Sequence, residues 1–249
     1  MGVRRRFVSL LVALVALGLV AGAVAQEPRY GGRVTVAVTD DPPNLDPHLT
    51  TAASARNVLH NIFATIVEMD LDFQVAPGLA ESWEISDDGL TYTFHLVQNA
   101  RFHDGTPVDA AALVYNFDRM RDPEFGSPRA SELSFVESYE AADEHTFVVR
   151  LSQPYAAFLP ALASWSGMIV SPTAAETYGD DFIQHLVGAG PFKFVDHIRD
   201  DRILLVRNDD YFREGLPYLD EVVVRPFVDG ESRVINLKSG ALDMIYTIP

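Results

Sequence analysis

Seven histidines are the first residues to weigh, because an imidazole can hold a metal, move a proton or activate a nucleophile. His48, His60, His95, His103, His145, His185 and His197 stand singly along the chain, with no H-E-x-x-H and no paired ligand spacing. The acid pairs Asp40-Asp41, Asp87-Asp88, Asp200-Asp201 and Asp209-Asp210 sit beside turn formers, where short carboxylates bond nearby backbone amides. Their spacing is that of turns, not of a calcium loop or an acid–base pair. VGAGPF (187–192) contains G-x-G but leads into a strand pattern, so it reads as close backbone packing instead of a phosphate cradle. SWSG (164–167) lacks the G-x-S-x-G of a nucleophile elbow, and no His/Asp partner is placed for it. The expectation is a protein that is not an enzyme, without a metal site of its own and without a cofactor.

The elements that position such residues begin after an export segment. MGVRRRFVSLLVALVALGLVAGAVA (1–25) has a basic start at Arg4, Arg5 and Arg6, an apolar run over 7–20, and Ala23 and Ala25 spaced as A-x-A. That pattern predicts a signal peptide cleaved near Ala25 and a periplasmic product. A single membrane anchor is the alternative, and the arginines leave both the general secretory and the twin-arginine routes open. There is no cysteine, so neither a disulfide nor a cysteine-linked lipid anchor is available. Loss of the three leader arginines takes the formal charge from −16 to −19. Such a surface repels phosphates and anionic lipid heads, which argues against nucleic acid as a partner.

The 249 residues are 48% hydrophobic and 10% aromatic, enough for one large or two modest cores. RVTVAV (33–38) reads as a strand that ends in the turn cluster TDDPPNLDP (39–47), and Thr50 or Ser54 is expected to cap a helix striped by Val58, Leu59, Ile62 and Phe63. Short strands are expected near 66–69 and at Val75. A hairpin follows in which Trp83 and Ile85 face inward, Asp88-Gly89 turns the chain with positive φ, and Tyr92, Phe94 and Leu96 return on the same face. A second Asp-Gly turn at 104–105 leads to a helix capped by Asp109 over 110–120, and then to a polar loop, DPEFGSPRASE (122–132). Two strands in 135–154, short helices around SWSG, strands at 192–195, 203–206 and 218–229, a helix ending at Gly240 and a last strand complete the pattern. Strands and helices mix without regular βα alternation, so the fold class is α+β. The chain stops at Pro249 straight after a strand, which suggests a fragment.

Five stretches taken together resemble the extracytoplasmic solute-binding proteins of peptide- and nickel-type ABC importers, the oligopeptide- and dipeptide-binding family. They are NLDPH (44–48), APGLAESWEISDDGLTYTFHLVQNARFHDGTPVDA (76–110), VGAGPFKF (187–194), RNDDYFREGLPYLDEVVVR (207–225) and LKSGALDM (237–244). Ala189 stands where the family usually has Thr, and AAAL (110–113) where it usually has A-E-D-V. The resemblance implies a periplasmic-binding-protein-like two-lobed clamp of which mainly the first lobe is present. It implies an inner subdomain begun over 26–53 and resumed over 166–249 up to the hinge, an outer subdomain over 54–165, and a second lobe absent from this chain.

It also implies capture of a peptide or similar small solute, delivery to an ABC permease in the inner membrane, and a monomer when the chain is full length. Nickel chelates, haem, glutathione and oligosaccharides are alternative ligands of the same fold, and a ligand-presenting receptor for a membrane sensor is an alternative role. The expected ligand-facing residues are Asp41, Pro42 and Pro43 after the first strand, Thr50 near the helix start, Trp165 and Ser166 in SWSG, and Tyr246 and Thr247 at the hinge approach. Trp165 would form an apolar or cation–π wall, and an ordinary core tryptophan is the alternative reading of the same residue.

Overall fold

The computed structural model describes residues 28–247; the leader, its expected cleavage point at Ala25 and the last two residues lie outside them. From Gly31 onward the chain forms one unit built around two sheets. The first sheet has five strands in the order β11-β1-β10-β9-β8. These are β1 (Arg33–Val38), β8 (Phe192–Ile198), β9 (Arg202–Arg207), β10 (Glu221–Pro226) and β11 (Met244–Ile245). Strand β1 runs parallel to both β10 and β11, whereas β8, β9 and β10 pair antiparallel. Its central place explains why Val36, Ala37 and Val38 are buried in succession, where a half-exposed strand would alternate.

Helix α1 (Ala53–Ile62) packs Val58, Leu59 and Ile62 with Phe63 against Val38, Ile203, Leu205, Val222 and Val224 of this sheet. Neither expected cap closes it. Ala52 occupies the cap position without a side-chain bond, because the Ser54 hydroxyl donates instead to Asp40 at 2.7 Å and Thr50 Oγ1 only accepts from Ala52 N at 3.3 Å.

The second sheet is antiparallel, β4-β5-β7-β6, from β4 (Ala80–Ile85), β5 (Thr91–Leu96), β6 (Val136–Asp143) and β7 (Thr146–Leu151). On β5, Tyr92, Phe94 and Leu96 point into the core and meet Phe147, Val149 and Phe117, the last from helix α2 (Ala110–Arg121). The Asp109 side chain caps α2 by accepting from Ala112 N at 2.8 Å, as its sequence predicts. Trp83 does lie opposite Phe94, but β4 is an edge strand, so Trp83 is only half-buried and Ile85 is exposed. In the hairpin turn only Gly89 takes positive φ; Asp88 contributes its carboxylate, which accepts from Leu90 N. The polar loop over 122–132 is more ordered than its composition predicts: it holds a 3₁₀ turn, Pro128–Ser131, with Arg129 buried.

A small hairpin, β2 (Val67–Met69) with β3 (Val75–Pro77), lies between α1 and β4 in chain order. Helix α3 (Phe158–Leu162), the 3₁₀ turn Trp165–Gly167 and helix α4 (Pro172–Tyr178) then return the chain to the first sheet, and α5 (Gly230–Ser239) ends at Gly240 in the left-handed conformation. No helix among the described residues is long and apolar enough to cross a membrane.

Candidate functional site

The register of the first sheet brings several chain ends to one edge. Val38 of β1 lies beside Pro226 of β10, Ala37 beside Ile245 of β11, and Ile198 of β8 beside Arg202 of β9. The segments that leave this carboxyl edge, 39–44, 198–201, 227–228 and 246–247, therefore converge. In open sheets with parallel strands this is where ligands bind, because the chain must diverge there and leaves a crevice. On the β8 side of this edge lies a cavity of about 450 Å³ lined by Pro42, Pro43, Asn44, Gln184, Asp196, His197 and Arg199 among others.

Asp41 organises this edge without facing outward. Its side chain is only 7% exposed. One carboxylate oxygen meets His197 Nε2 at 2.7 Å and the other accepts from Asp200 N at 3.2 Å. Asp200 holds φ +60 in the turn joining β8 to β9. Asp41 thus ties the exit of β1 to the β8–β9 hairpin and sets where Pro42 and Pro43 lie. The polar groups left open on the same edge are Thr39, Asp40, Arg199, Asp200 and Thr247, with Tyr246 and Val228 as exposed apolar surface.

The structure does not gather all eight expected residues. Asp41, Pro42, Pro43, Tyr246 and Thr247 share the carboxyl edge. Thr50 is buried in the loop before α1. Trp165 is half-buried in the core of the first sheet, with the Arg129 guanidinium 5.5 Å from its ring centre. Ser166 is fully buried and donates to Glu132 Oε2, while Glu132 Oε1 pairs with Arg129 at 2.6 Å. Trp165 and Ser166 therefore belong to a packed polar cluster with Arg129 and Glu132, and Thr50 is buried within its own loop.

That cluster continues into a network the sequence reading left unassigned. Arg119 of α2 makes two bonds to the Asp46 carboxylate, at 2.6 and 3.1 Å, and a third to His48 Nδ1 at 2.9 Å. Because Nδ1 accepts from a guanidinium, the His48 proton sits on Nε2, which donates to the Met168 carbonyl at 2.9 Å. Burial pushes the His48 pKa down to about 4, against the pull of Asp46. The Arg119 guanidinium lies 4.0 Å from the Phe125 ring centre and 5.5 Å from that of Phe182. The clue available in the sequence was NLDPH itself, whose Asp46 and His48 flank a proline and so point inward from a rigid turn.

A similar joint explains FHDG (102–105) and VGAG. His103 Nε2 donates to the Gly190 carbonyl at 3.0 Å, its backbone N–H bonds the Gly188 carbonyl at 2.8 Å, and burial lowers its pKa to about 4. A side chain at Gly190 would place Cβ 2.6 Å from the Ile62 carbonyl, and one at Gly188 would come within 2.2 Å of the same oxygen. VGAG is close packing against the end of α1, as expected. Among the described residues no group of three or more His, Cys, Asp or Glu side chains converges as a metal site requires.

Known proteins share this fold. A glutathione-binding protein GsiB from Pectobacterium atrosepticum is 33% identical over 236 residues, which is 95% of this chain and 46% of the relative. The solved PBP AgaA from A. tumefaciens R10, in complex with agropinic acid, superposes with TM-score 0.82 at 36% identity over 86% of this chain and 43% of its own. OppA of Haemophilus influenzae, in complex with RPPGFSPFR, gives TM-score 0.84 at 27% identity over 90% of this chain and 47% of its own. The chain thus spans about half the length of the relatives it matches. Over residues 74–249 the sequence matches the bacterial extracellular solute-binding proteins, family 5 Middle, and the chain belongs to that family.

Proposed function

We propose that the protein is the extracytoplasmic substrate-binding component of an ABC importer, capturing a peptide or similar small solute and delivering it to a membrane permease. The observation that carries this reading is the carboxyl edge of the first sheet, where the exits of β1, β8, β10 and β11 converge and leave Thr39, Asp40, Arg199, Tyr246 and Thr247 exposed, with a cavity of about 450 Å³ on the β8 side lined by Pro42, Pro43, His197 and Arg199. Such an edge offers a rigid half-site. A ligand closes a two-lobed clamp only through contacts it makes with both lobes, so the rest of the site lies on a facing lobe. On this reading residues 26–53 and 166–249 form the inner part of the first lobe and 54–165 the outer part.

The same reading makes the protein a periplasmic binding protein and not an enzyme, monomeric as a whole chain. Pro42, Pro43, Tyr246 and Thr247 form the ligand-facing rim, Asp41 and Thr50 set its shape, and Trp165 with Ser166 supports it from behind. Glutathione joins short peptides as a first ligand class to test, since relatives at 33 and 34% identity are named for binding it.

Calorimetric titration separates the possibilities: the 249-residue chain and the product of its whole reading frame are each titrated with glutathione, di- and oligopeptides and agropinic acid. The expected result is micromolar or tighter binding of one class by the whole product and weak binding by the 249-residue chain. Equally tight binding by both means that the site is complete within these residues and overturns the half-site reading. No binding of any class by the whole product removes the peptide-like ligand.

A further inference from the structure

The tip of the β2–β3 hairpin presents two large apolar side chains that nothing among the described residues covers. Leu71 is 99% exposed and Phe73 82%, and Met69 beside them is also open to solvent. The tip is held rigidly. Asp70 Oδ1 accepts from Asp72 N at 2.9 Å and Gln74 N at 2.8 Å, while Gln74 Nε2 returns a bond to the Asp72 carbonyl at 3.1 Å. At the hairpin base Arg213 pairs with Glu68 at 2.9 Å and bonds the Pro77 carbonyl at 2.7 Å.

Phe73 takes φ +59, a left-handed conformation that suits glycine or asparagine and strains a bulky residue. The turn would be less strained with Gly at this position, and polar residues at both positions would be better hydrated. A strained, solvated aromatic on a fixed turn is what an anchor for a partner looks like.

The chemistry of that partner follows from shape and charge. The tip is convex, so it cannot enclose a small molecule, and the partner must bring the socket. Carboxylates of Asp70 and Asp72 flank the two apolar groups on a chain of formal charge −16. An anionic membrane surface is repelled, and two copies meeting tip to tip would bring four carboxylates together. We propose that Leu71 and Phe73 form a docking anchor for a protein whose apolar socket has a basic rim. Under the importer reading, on which this assignment of the partner rests, that protein is the permease.

The test uses the product of the whole reading frame and its cognate permease in lipid nanodiscs, with binding followed by biolayer interferometry. Phe73→Gly is expected to weaken association about tenfold and Leu71→Ser with Phe73→Gly roughly 100-fold, from the apolar surface no longer buried. Ligand affinity stays unchanged, the urea midpoint of Phe73→Gly is equal or higher, and raised salt weakens the wild-type complex. The proposal is overturned if the double variant docks as well as the wild type, or if wild type binds empty nanodiscs as tightly, which would mark a lipid anchor. A dimer that the double variant abolishes, or slow labelling of Leu71→Cys in the whole product, overturns it in favour of self-association or cover by the rest of the chain. Failure of wild type to bind the permease at all removes the importer reading and this partner together, whereas equal docking by wild type and double variant removes the anchor alone.

Discussion

Lowering the pH from 7 to 5 should destabilise the fold through His48, and the amount can be worked from its surroundings. His48 is fully buried, and its ring accepts from Arg119 through Nδ1, leaving no place for a second proton. Its pKa falls from 6.5 to about 4 on folding. Between those values the unfolded chain binds a proton that the folded one refuses, so stability is full above about pH 6.5 and drains away as pH falls toward 4. At pH 5 the loss from this one residue is about 2 kcal/mol relative to pH 7. His103, lowered by burial to about 4 as well, adds a loss of the same sign. Carboxylates held low, such as Asp88 by its bond from Ser86, titrate below this window. Urea melts at pH 7, 6 and 5 read the effect. With a urea slope of about 2 kcal/mol per molar, His48 alone lowers the midpoint by roughly 1 M at pH 5. The variant His48→Gln should start from a lower midpoint at pH 7 but lose about 2 kcal/mol less on acidification. An identical fall in both proteins, or a flat wild-type profile between pH 5 and 6.5, would refute the reasoning.

Asp46→Asn leaves Arg119 as a buried cation with half its partner, and should cost about 3–5 kcal/mol, seen as a lower urea midpoint with unchanged slope; a midpoint within error of wild type contradicts it. Gly190→Ala drives Cβ into the backbone of Ile62 and should cost about 3 kcal/mol or more by the same measurement, whereas tolerance would mean that the joint yields easily. Trp83→Ala, on an edge strand and half-buried, should cost about 1–2 kcal/mol against roughly 3–5 for Phe94→Ala at the sheet centre, and equal costs would show that Trp83 is enclosed in solution.

Much of the fold was legible because its elements announce themselves locally. The valine alternation of 33–38, the Asp109 cap and the glycine at 240 each specify backbone geometry within a few residues, and β1, α2 and the end of α5 fall where they indicate. The errors share one cause, competition from distant partners. Ser54 is a good helix cap by type, but Asp40 takes its hydroxyl from 14 residues away. Trp83 has the right phase, yet only the strand order shows that β4 lies at an edge. The sequence puts Pro42, Pro43, Tyr246 and Thr247 just past strands, and the parallel register of β1 and β11 brings those strand ends to the same edge of the sheet. The sequence could not show that the Asp41 carboxylate turns inward to His197, since that bond spans 156 residues.

The stretches by which the family is recognised prove to be joints. NLDPH is the Asp46–Arg119–His48 network that ties the loop before α1 to α2. FHDG and VGAG are two sides of one contact through His103, and Asn208 of RNDD closes it from a third side by donating to Gly190 at 3.1 Å. In LKSGALDM, Asp243 accepts from Thr35 N at 2.8 Å and so fixes the entry of β11 against β1. Such positions admit few residue types, because each must satisfy a buried bond or leave room for a backbone. Exposed groups on the carboxyl edge, Arg199, Tyr246 and Thr247, carry no motif. A scaffold read through its joints is therefore recognised with ease while its ligand is not, and under the importer proposal the exposed side chains of that edge, not the motifs, are where substitutions should change which solute binds.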